Sequence, residues 1–254
     1  MSRMSWSFCG WPLAGVLTMG GFLLAGTAVA RPIYIAPMGD SITQGGKEDR
    51  KEYTYRYPLF GMLKDAGYDF DFIGSLNKGL QPKATWPDHK GQPFDPDHEG
   101  HYGIKTAKFR DGLAEWMKQW PAAPDIALIH LGTNDQKAEN HDEAIVKPLR
   151  DIIAMLRAKN PRVVVFVGHL NFTGGAAVQI RPLVEAMARE LNTAESPVIT
   201  VHHYEGFEAN PQAENTDTFD WAHPNPQGQT KMARKWFEAM KPHLDRLKED
   251  VKGR

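Results

Sequence analysis

The chain has 254 residues, of which 41% are hydrophobic, and it carries 30 Lys and Arg against 31 Asp and Glu. This length predicts one domain, or at most two, with a full hydrophobic core. The balanced charge argues against a large basic surface for nucleic acid, and the mean hydropathy of −0.48 excludes a polytopic membrane protein. A single cysteine excludes an intramolecular disulfide framework and a cysteine-based zinc cluster.

Residues 1–30 have the composition of a cleavable signal peptide. Arg3 is the only charged residue, an apolar run extends to Leu24, and the small residues Ala28–Val29–Ala30 form a cleavage site. An uncleaved amino-terminal anchor is the alternative, but the short apolar run and the cleavage site favour removal after Ala30. We therefore expect a periplasmic or secreted protein whose functional domain comprises residues 31–254.

After this segment, short apolar runs alternate with stretches of helical periodicity. The apolar runs predict five strands, at residues 33–37, 68–73, 126–131, 163–168 and 198–202. The third and fourth runs are nearly continuous, which is typical of parallel strands covered on both faces. The alternation predicts an α/β fold, a three-layer α/β/α sandwich around a central five-stranded parallel sheet.

Two helices are especially clear in the pattern. Apolar residues from Ile145 to Leu156 lie on one face of a helix that should end at Asn160–Pro161, with Pro148 marking its first turn. A second apolar stripe extends from Met232 to Leu244, and the charged tail after it, Asp245–Arg254, is expected to be frayed.

Two long stretches, residues 75–103 and 205–219, fit neither period. Loops of this length inside a compact domain are more often functional than not. In an open α/β sheet the ligand lies outside the carboxyl ends of the strands, so both loops are expected near a ligand site there.

Three polar motifs are placed at predicted carboxyl ends of strands or in loops on that side: Gly39–Gly45, Gly132–Asp135 and Asp220–His223. A serine at a strand-to-helix turn presents its hydroxyl and its backbone N–H to a substrate, and an asparagine side chain can donate to an oxyanion. An Asp three residues before a His can orient it as a general base. Each motif alone is equally typical of a turn or a capped helix start, but their combination predicts one catalytic site.

With these motifs the chain resembles the SGNH (GDSL-type) hydrolases from about Ile33 to about Lys235. The resemblance implies a flavodoxin-like fold with Ser41 as nucleophile, His223 as general base and Asp220 as its partner. The oxyanion would be received by the Ser41 N–H, by Asn134 and by the N–H of a glycine. Gly103 is the best match to that glycine, and Gly100 is the competitor.

A narrower resemblance, to the acetyl xylan esterases of carbohydrate esterase family 3, rests on Tyr55–Leu59, Phe72–Ser75 and Asp97–His101. The sequence departs from that family's pattern at Tyr102, where a small residue is usual, and at Ile104, where an aromatic residue is common.

Four residues are candidates for substrate binding: Asp40, Trp86, Tyr102 and Trp221. The three aromatic rings suit stacking on a sugar, although packing at the edge of the core explains any one of them equally well. We expect a small acyl group, because a long-chain lipase should have an extended apolar lid.

Other polar clusters are not assigned a role. Asp95, Asp97 and Glu99 are expected to be solvated loop carboxylates, since they lack the spacing of a calcium loop. His202–His203 has no carboxylate nearby in the sequence and is interpreted as ordinary loop or core histidine. The chemistry requires no metal and no cofactor.

The sequence therefore predicts a secreted serine esterase acting on short-chain, chiefly acetyl, esters of a small molecule or a polysaccharide such as xylan. A lysophospholipase or thioesterase, an envelope glycan O-acetyltransferase that excludes water, and a catalytically silent carbohydrate-binding relative are the alternatives. No nucleic acid is expected as a partner, nor a membrane after signal cleavage, and no oligomeric state is predicted.

Overall fold

A computed structural model describes residues 31–252 together with Met1 and Met4, and side chains are described as far as Glu249. The predicted signal peptide and its cleavage site lie outside the described residues. The described residues form six strands: β1 Ile33–Gly39, β2 Phe70–Phe72, β3 Glu99–Gly100, β4 Ile126–His130, β5 Val164–Gly168 and β6 Val198–Val201. Over the same part of the chain there are six α-helices: α1 Ser41–Gln44, α2 Arg56–Asp65, α3 Thr106–Trp116, α4 Lys147–Lys159, α5 Ala176–Leu191 and α6 Pro226–Lys252.

The strands form one parallel sheet in the order β2-β1-β4-β5-β6. Ile35 of β1 pairs with Ile126 of β4, and Ile126 pairs with Val164 of β5. Every residue of β4 and of β5 is buried, because helices cover both faces of the sheet. The five predicted strands are confirmed. The short β3, which the sequence pattern did not predict, pairs with the carboxyl end of β1.

Two hydrophobic cores occupy the two faces of the sheet. On one face, α3, α4 and α5 pack side chains such as Phe109, Ile152 and Val184 against the strands. On the other face, α2 and α6 contribute Leu59 and Trp236, both fully buried. The predicted three-layer α/β/α sandwich is confirmed.

The two predicted helices form with small differences. A π-helical turn at Asp142–Val146 precedes α4, in which Pro148 lies in the first turn and the α-helix ends before Asn160. The expectation of a frayed tail after Asp245 is wrong for the described residues, because α6 continues to Lys252. Lys248 Nζ donates to the carbonyl of Gly67 at 3.0 Å, which anchors this end of α6.

In the loop at residues 75–103, two acidic side chains are buried or half-buried and accept hydrogen bonds. Glu99 is fully buried and accepts hydrogen bonds from Ser75 Oγ at 2.8 Å and from Trp120 Nε1 at 2.7 Å. Asp95, which is half-buried, accepts a bond from the N–H of Phe72. The interpretation as solvated carboxylates is wrong for Glu99 and Asp95, because backbone and side-chain donors around these two acids replace water.

Among the helices that can be described, none combines the length and apolar character needed to span a bilayer.

Candidate active site

Ser41 lies at the turn from β1 to α1, at the carboxyl edge of the sheet, and is 4% exposed. Gly39 permits this turn, because a Cβ there would lie 2.4 Å from the carbonyl oxygen of His130. Asp40 Oδ1 accepts a hydrogen bond of 2.9 Å from the N–H of Ile42 and so caps α1. Asp40 is fully buried, and burial raises its pKa to about 7. It therefore supports the turn that presents Ser41 and cannot contact substrate, contrary to the expectation from the sequence.

Asp220 and His223 lie in the loop between β6 and α6, which brings them to Ser41 across the carboxyl edge of the sheet. His223 Nε2 is 3.0 Å from Ser41 Oγ, and its Nδ1 is 2.9 Å from both carboxylate oxygens of Asp220. Asp220 Oδ1 also accepts the N–H groups of Ala222 and His223, each at 2.9 Å. These bonds make the segment a tight turn in which the carboxylate fixes the orientation of the imidazole.

Arg50 makes a further contact that the sequence analysis missed. Its Nη1 donates to Asp220 Oδ2 at 2.9 Å, and its Nη2 donates to Glu52 Oε1 at 2.7 Å. Burial raises the pKa of Asp220, but the N–H groups of the turn, His223 and Arg50 outweigh burial and hold this pKa well below its usual range. Asp220 is thus kept ionised beside the imidazole.

Asn134 lies in a 3₁₀ turn, Thr133–Asp135, directly after β4. Because β1 and β4 are neighbours in the sheet, Asn134 and Ser41 meet at the same edge. Asn134 Nδ2 donates to the carbonyl of Ile104 at 2.9 Å and makes a longer contact of 3.4 Å with Asp40 Oδ2. The first bond fixes the amide, and the weak second one leaves a donor that can turn to a bound oxygen.

The two candidate glycines differ in what their N–H groups do. Gly100, in β3, donates its N–H to His98 Nδ1 at 2.9 Å, and a Cβ there would lie 2.5 Å from the N atom of Gln44. Gly103 is exposed, has a φ of +76°, and its N–H has no acceptor among the described residues. Gln44 Oε1 holds the preceding residue by accepting the N–H of Tyr102 at 2.7 Å. Of the two glycines, Gly103 is therefore the one whose N–H is available to a bound oxygen.

The three aromatic candidates have different surroundings. Tyr102 stacks on the His223 ring, with centroids 5.3 Å apart and planes at 21°. Trp221, next to Asp220, is 59% exposed. Trp86 is part of the packing, because its Nε1 donates to the carbonyl of Tyr53 at 2.8 Å and its ring stacks on Phe94.

A cavity of about 390 Å³ opens beside Arg50 and is lined by residues 46–53 and 83–86. Trp86 forms part of its wall, and most of the other lining residues are charged or polar. Lys47, at its rim, extends over the ring of Tyr102, with Nζ 5.7 Å from the ring centroid. The cavity is thus adjacent, through Arg50 and Tyr102, to Asp220 and His223.

The chain is similar to several known proteins. A multidomain esterase of Ruminococcus flavefaciens is 26% identical over 242 residues, which cover 86% of this chain and 30% of that protein. The chain thus spans less than a third of the length of this curated relative. A carbohydrate esterase of family 3 from Talaromyces cellulolyticus is 26% identical with a TM-score of 0.68, covering 84% of this chain and 98% of that one.

An acetyl esterase mutant whose structure holds an acetate ion is 25% identical with a TM-score of 0.69, over 85% of this chain and 99% of that one. These similarities confirm the resemblance to carbohydrate esterase family 3 that the motifs indicated. The family model of the GDSL-like lipases and acylhydrolases matches residues 38–231, which include Ser41, Asn134, Asp220 and His223. The chain belongs to the GDSL-like lipase/acylhydrolase family.

Proposed function

We propose that this protein is a secreted serine esterase that hydrolyses short-chain esters, above all acetyl esters, of carbohydrates such as xylan. The observation that carries the proposal is the continuous hydrogen-bonded series from Ser41 Oγ through His223 to Asp220, with contacts of 3.0 and 2.9 Å. A serine becomes nucleophilic when an oriented base can accept its proton.

In the first half of the reaction, Ser41 Oγ attacks the ester carbonyl while His223 Nε2 takes its proton. The N–H groups of Ser41 and Gly103 and the side-chain N–H of Asn134 receive the oxyanion. His223 then gives the proton to the leaving alcohol oxygen of the sugar, and an acetyl group remains on Ser41. In the second half, His223 takes a proton from water, which attacks the acetyl carbonyl, and acetate leaves as Ser41 recovers its proton.

A small acyl group and a polar leaving group are supported by the surroundings of the site. Tyr102 stacks on His223 and limits the space over the imidazole. The adjacent cavity is lined chiefly by charged and polar residues, which suit the hydroxyl groups of a sugar better than an alkyl chain. An acetyl esterase and a family 3 carbohydrate esterase are also among the similar structures.

Export is the second part of the proposal. Residues 1–30 would direct secretion and be removed after Ala30, so that residues 31–254 form the working enzyme. Amino-terminal sequencing of the exported protein tests this directly. A first residue of Arg31 is expected, and an intact amino terminus on the exported protein would contradict the proposal.

The activity is tested with p-nitrophenyl esters from acetate to octanoate and with acetylated xylan, using the Ser41→Ala protein as the blank. We expect a preference for acetate, release of acetate from the polymer, and loss of activity in the variant with an unchanged melting temperature. Activity above about a tenth of the wild-type value in Ser41→Ala would refute the nucleophile, since triad residues contribute far larger factors.

The same assay separates the alternatives. A preference for octanoate with xylan untouched would indicate a lysophospholipase or thioesterase with the same triad. Product formation that requires a sugar acceptor would indicate an O-acetyltransferase, and inactivity toward every ester would indicate a carbohydrate-binding relative.

A further inference from the structure

A cluster of two histidines and a glutamate lies at the edge of the sheet formed by β5 and β6. His169 follows β5, His202 follows β6, and Glu185 projects from α5, which covers these strands. Glu185 Oε1 is 3.9 Å from His169 Nε2 and 3.9 Å from His202 Nε2. The three atoms all lie within 4.8 Å of one another, although the residues come from three different elements.

These separations suit an ion better than a hydrogen bond or a water. A distance of 3.9 Å is too long for a direct N–H···O hydrogen bond, and a water bonded to both atoms would hold them roughly 4.5 Å apart. Two atoms that bind the same Zn²⁺ at about 2.1 Å are roughly 3.3 to 4.2 Å apart. The His169 and His202 rings are nearly parallel, at 13° with centroids 4.9 Å apart, so one ring must turn before both Nε2 atoms face the same ion. The side chains of His202 and Glu185 are 39% and 33% exposed, which gives both of them room to move.

His169 gives the cluster its strongest indication of a missing ligand. The residue is 3% exposed, and neither of its ring nitrogens has a hydrogen-bond partner within the part of the chain that the structure describes. An unpaired buried nitrogen is unfavourable, and coordination by an ion between the two imidazoles and Glu185 would satisfy it.

Charges of both signs surround the cluster, since Lys235 Nζ lies 3.8 Å from Glu205 Oε2 and Arg189 lies 3.8 Å from Glu185. Glu205 Oε1 lies 3.1 Å from His202 Nδ1, so a carboxylate orients the far side of this imidazole, as is usual for metal-bound histidines. This contact also corrects the sequence analysis, which found no carboxylate near His202. The Arg189 contact is to Glu185 Oε2, whereas the two imidazoles face Oε1, and the Arg189 side chain is 71% exposed.

The geometry points to a divalent transition-metal site, for which Zn²⁺ is the best-suited ion, formed by His169, Glu185 and His202. Two imidazoles and one carboxylate form a ligand set that Zn²⁺ commonly takes, with a fourth position left for water on the exposed side. The ion would tie α5 to the carboxyl ends of β5 and β6. The ion has no part in the proposed ester hydrolysis, and either proposal can be correct without the other.

The test is Zn²⁺ binding by the full chain, purified without a histidine tag and stripped with a chelator. Isothermal titration should give one ion per chain, and the melting temperature should rise with added Zn²⁺. Glu185→Gln and His202→Ala, at partly exposed positions, should each weaken binding at least tenfold and remove the rise in melting temperature. The controls are Glu195→Gln and His141→Ala, which change the same residue types outside the cluster and should bind Zn²⁺ like the wild type.

Two results would overturn the site. One is the absence of binding to the wild-type chain at micromolar Zn²⁺. The other is equal affinity in the wild type and in a folded Glu185→Gln/His202→Ala double variant, which would assign any bound ion to other residues.

Discussion

The guanidinium of Arg50 lies 2.9 Å from the carboxylate of Asp220, a contact between residues 170 positions apart in the chain. Arg50 also binds Glu52, and its side chain is 16% exposed. The Asp220 side chain is 32% exposed, so this charged hydrogen bond is only partly shielded from water. Arg50 donates to Oδ2 of the same carboxylate that orients His223, and so acts as a positioning residue for the proposed triad.

Replacing Arg50 by Met should lower kcat/KM for p-nitrophenyl acetate about 10- to 100-fold, which corresponds to the loss of one hydrogen bond to a charged group. Arg50 Cζ lies 4.8 Å from the centroid of the Phe219 ring, so methionine keeps the aliphatic chain and also removes this cation–π contact. Arg50→Lys should recover part of the loss, because it restores the charge but not the planar geometry. Lys51→Met, at the adjacent exposed position, is the matched control. Equal values of kcat/KM for Arg50→Met and Lys51→Met would show that Arg50 does not position the triad.

Asn134 offers a second test. Asn134→Ala should reduce kcat about 10²- to 10³-fold with little change in KM, since an oxyanion donor acts mainly in the transition state. The variant should stay folded, because Asn134 is only partly buried and its strongest bond is to one carbonyl. Gln136→Ala removes an amide from the next turn, which bonds to Thr133, and should leave kcat unchanged. A kcat within threefold of wild type for Asn134→Ala would argue against the assignment.

The strands and the Asp220–His223 turn could be predicted from the sequence, because each depends on residues that are close together in the chain. The continuous apolar runs of β4 and β5 reflect burial on both faces, and the spacing of Asp220 and His223 is that of a single turn. Ser41 and Asn134 could be placed together because both follow strands of one parallel sheet, although the pattern alone did not give the neighbouring order of β1 and β4.

The features that were missed depend on the paths of long loops. Arg50 reaches Asp220 only after the loop following α1 folds back, and no pattern in residues 45–55 encodes that path. Glu99 resembles a surface acid in the sequence, and its burial depends on donors at Ser75 and Trp120, which are 24 and 21 residues away. The grouping of His169 with Glu185 likewise required knowing which face of α5 packs on the sheet.

The two glycines near the site should respond differently to alanine. Gly100→Ala places a Cβ 2.5 Å from the N atom of Gln44 in α1, so the helix that carries Ser41 must move. We expect a loss of about 1–3 kcal/mol of unfolding free energy, and of most activity. Gly103→Ala meets open space but requires a φ of +76°, which costs roughly 1–2 kcal/mol.

Urea unfolding and kcat/KM for both variants give the comparison. If Gly103 supplies the oxyanion donor, Gly103→Ala should lose activity beyond its small effect on stability, because relief of the strained φ turns the N–H. Gly103→Asn, which tolerates this backbone region better, should recover part of the activity. Full activity in Gly103→Ala would exclude Gly103 as a donor.

Because His98 is buried, we expect the folded protein to lose stability in mild acid. His98 is fully buried, its Nδ1 accepts the N–H of Gly100, and its Nε2 lies 3.0 Å from the carbonyl of Lys78. Burial, and then the charge of Arg56, hold the pKa of His98 well below its ordinary value. The folded protein thus keeps this imidazole neutral, whereas the unfolded chain takes up a proton near pH 6.5. The unfolded state binds more protons below that pH, so this contribution to stability is present above about pH 6.5 and is lost as the pH falls.

Urea unfolding at pH 7 and pH 5 measures the effect. The wild-type free energy of unfolding should fall by about 1–2 kcal/mol on account of this one histidine, since each pH unit below the unfolded pKa is worth about 1.4 kcal/mol. His98→Gln should be less stable at pH 7, because it loses a buried bond, but its stability should depend less on pH. His141→Gln, a change outside the core, should keep the wild-type dependence. Identical pH dependence in wild type and His98→Gln would contradict the prediction, because it would mean that His98 takes up its proton equally in the folded and the unfolded state.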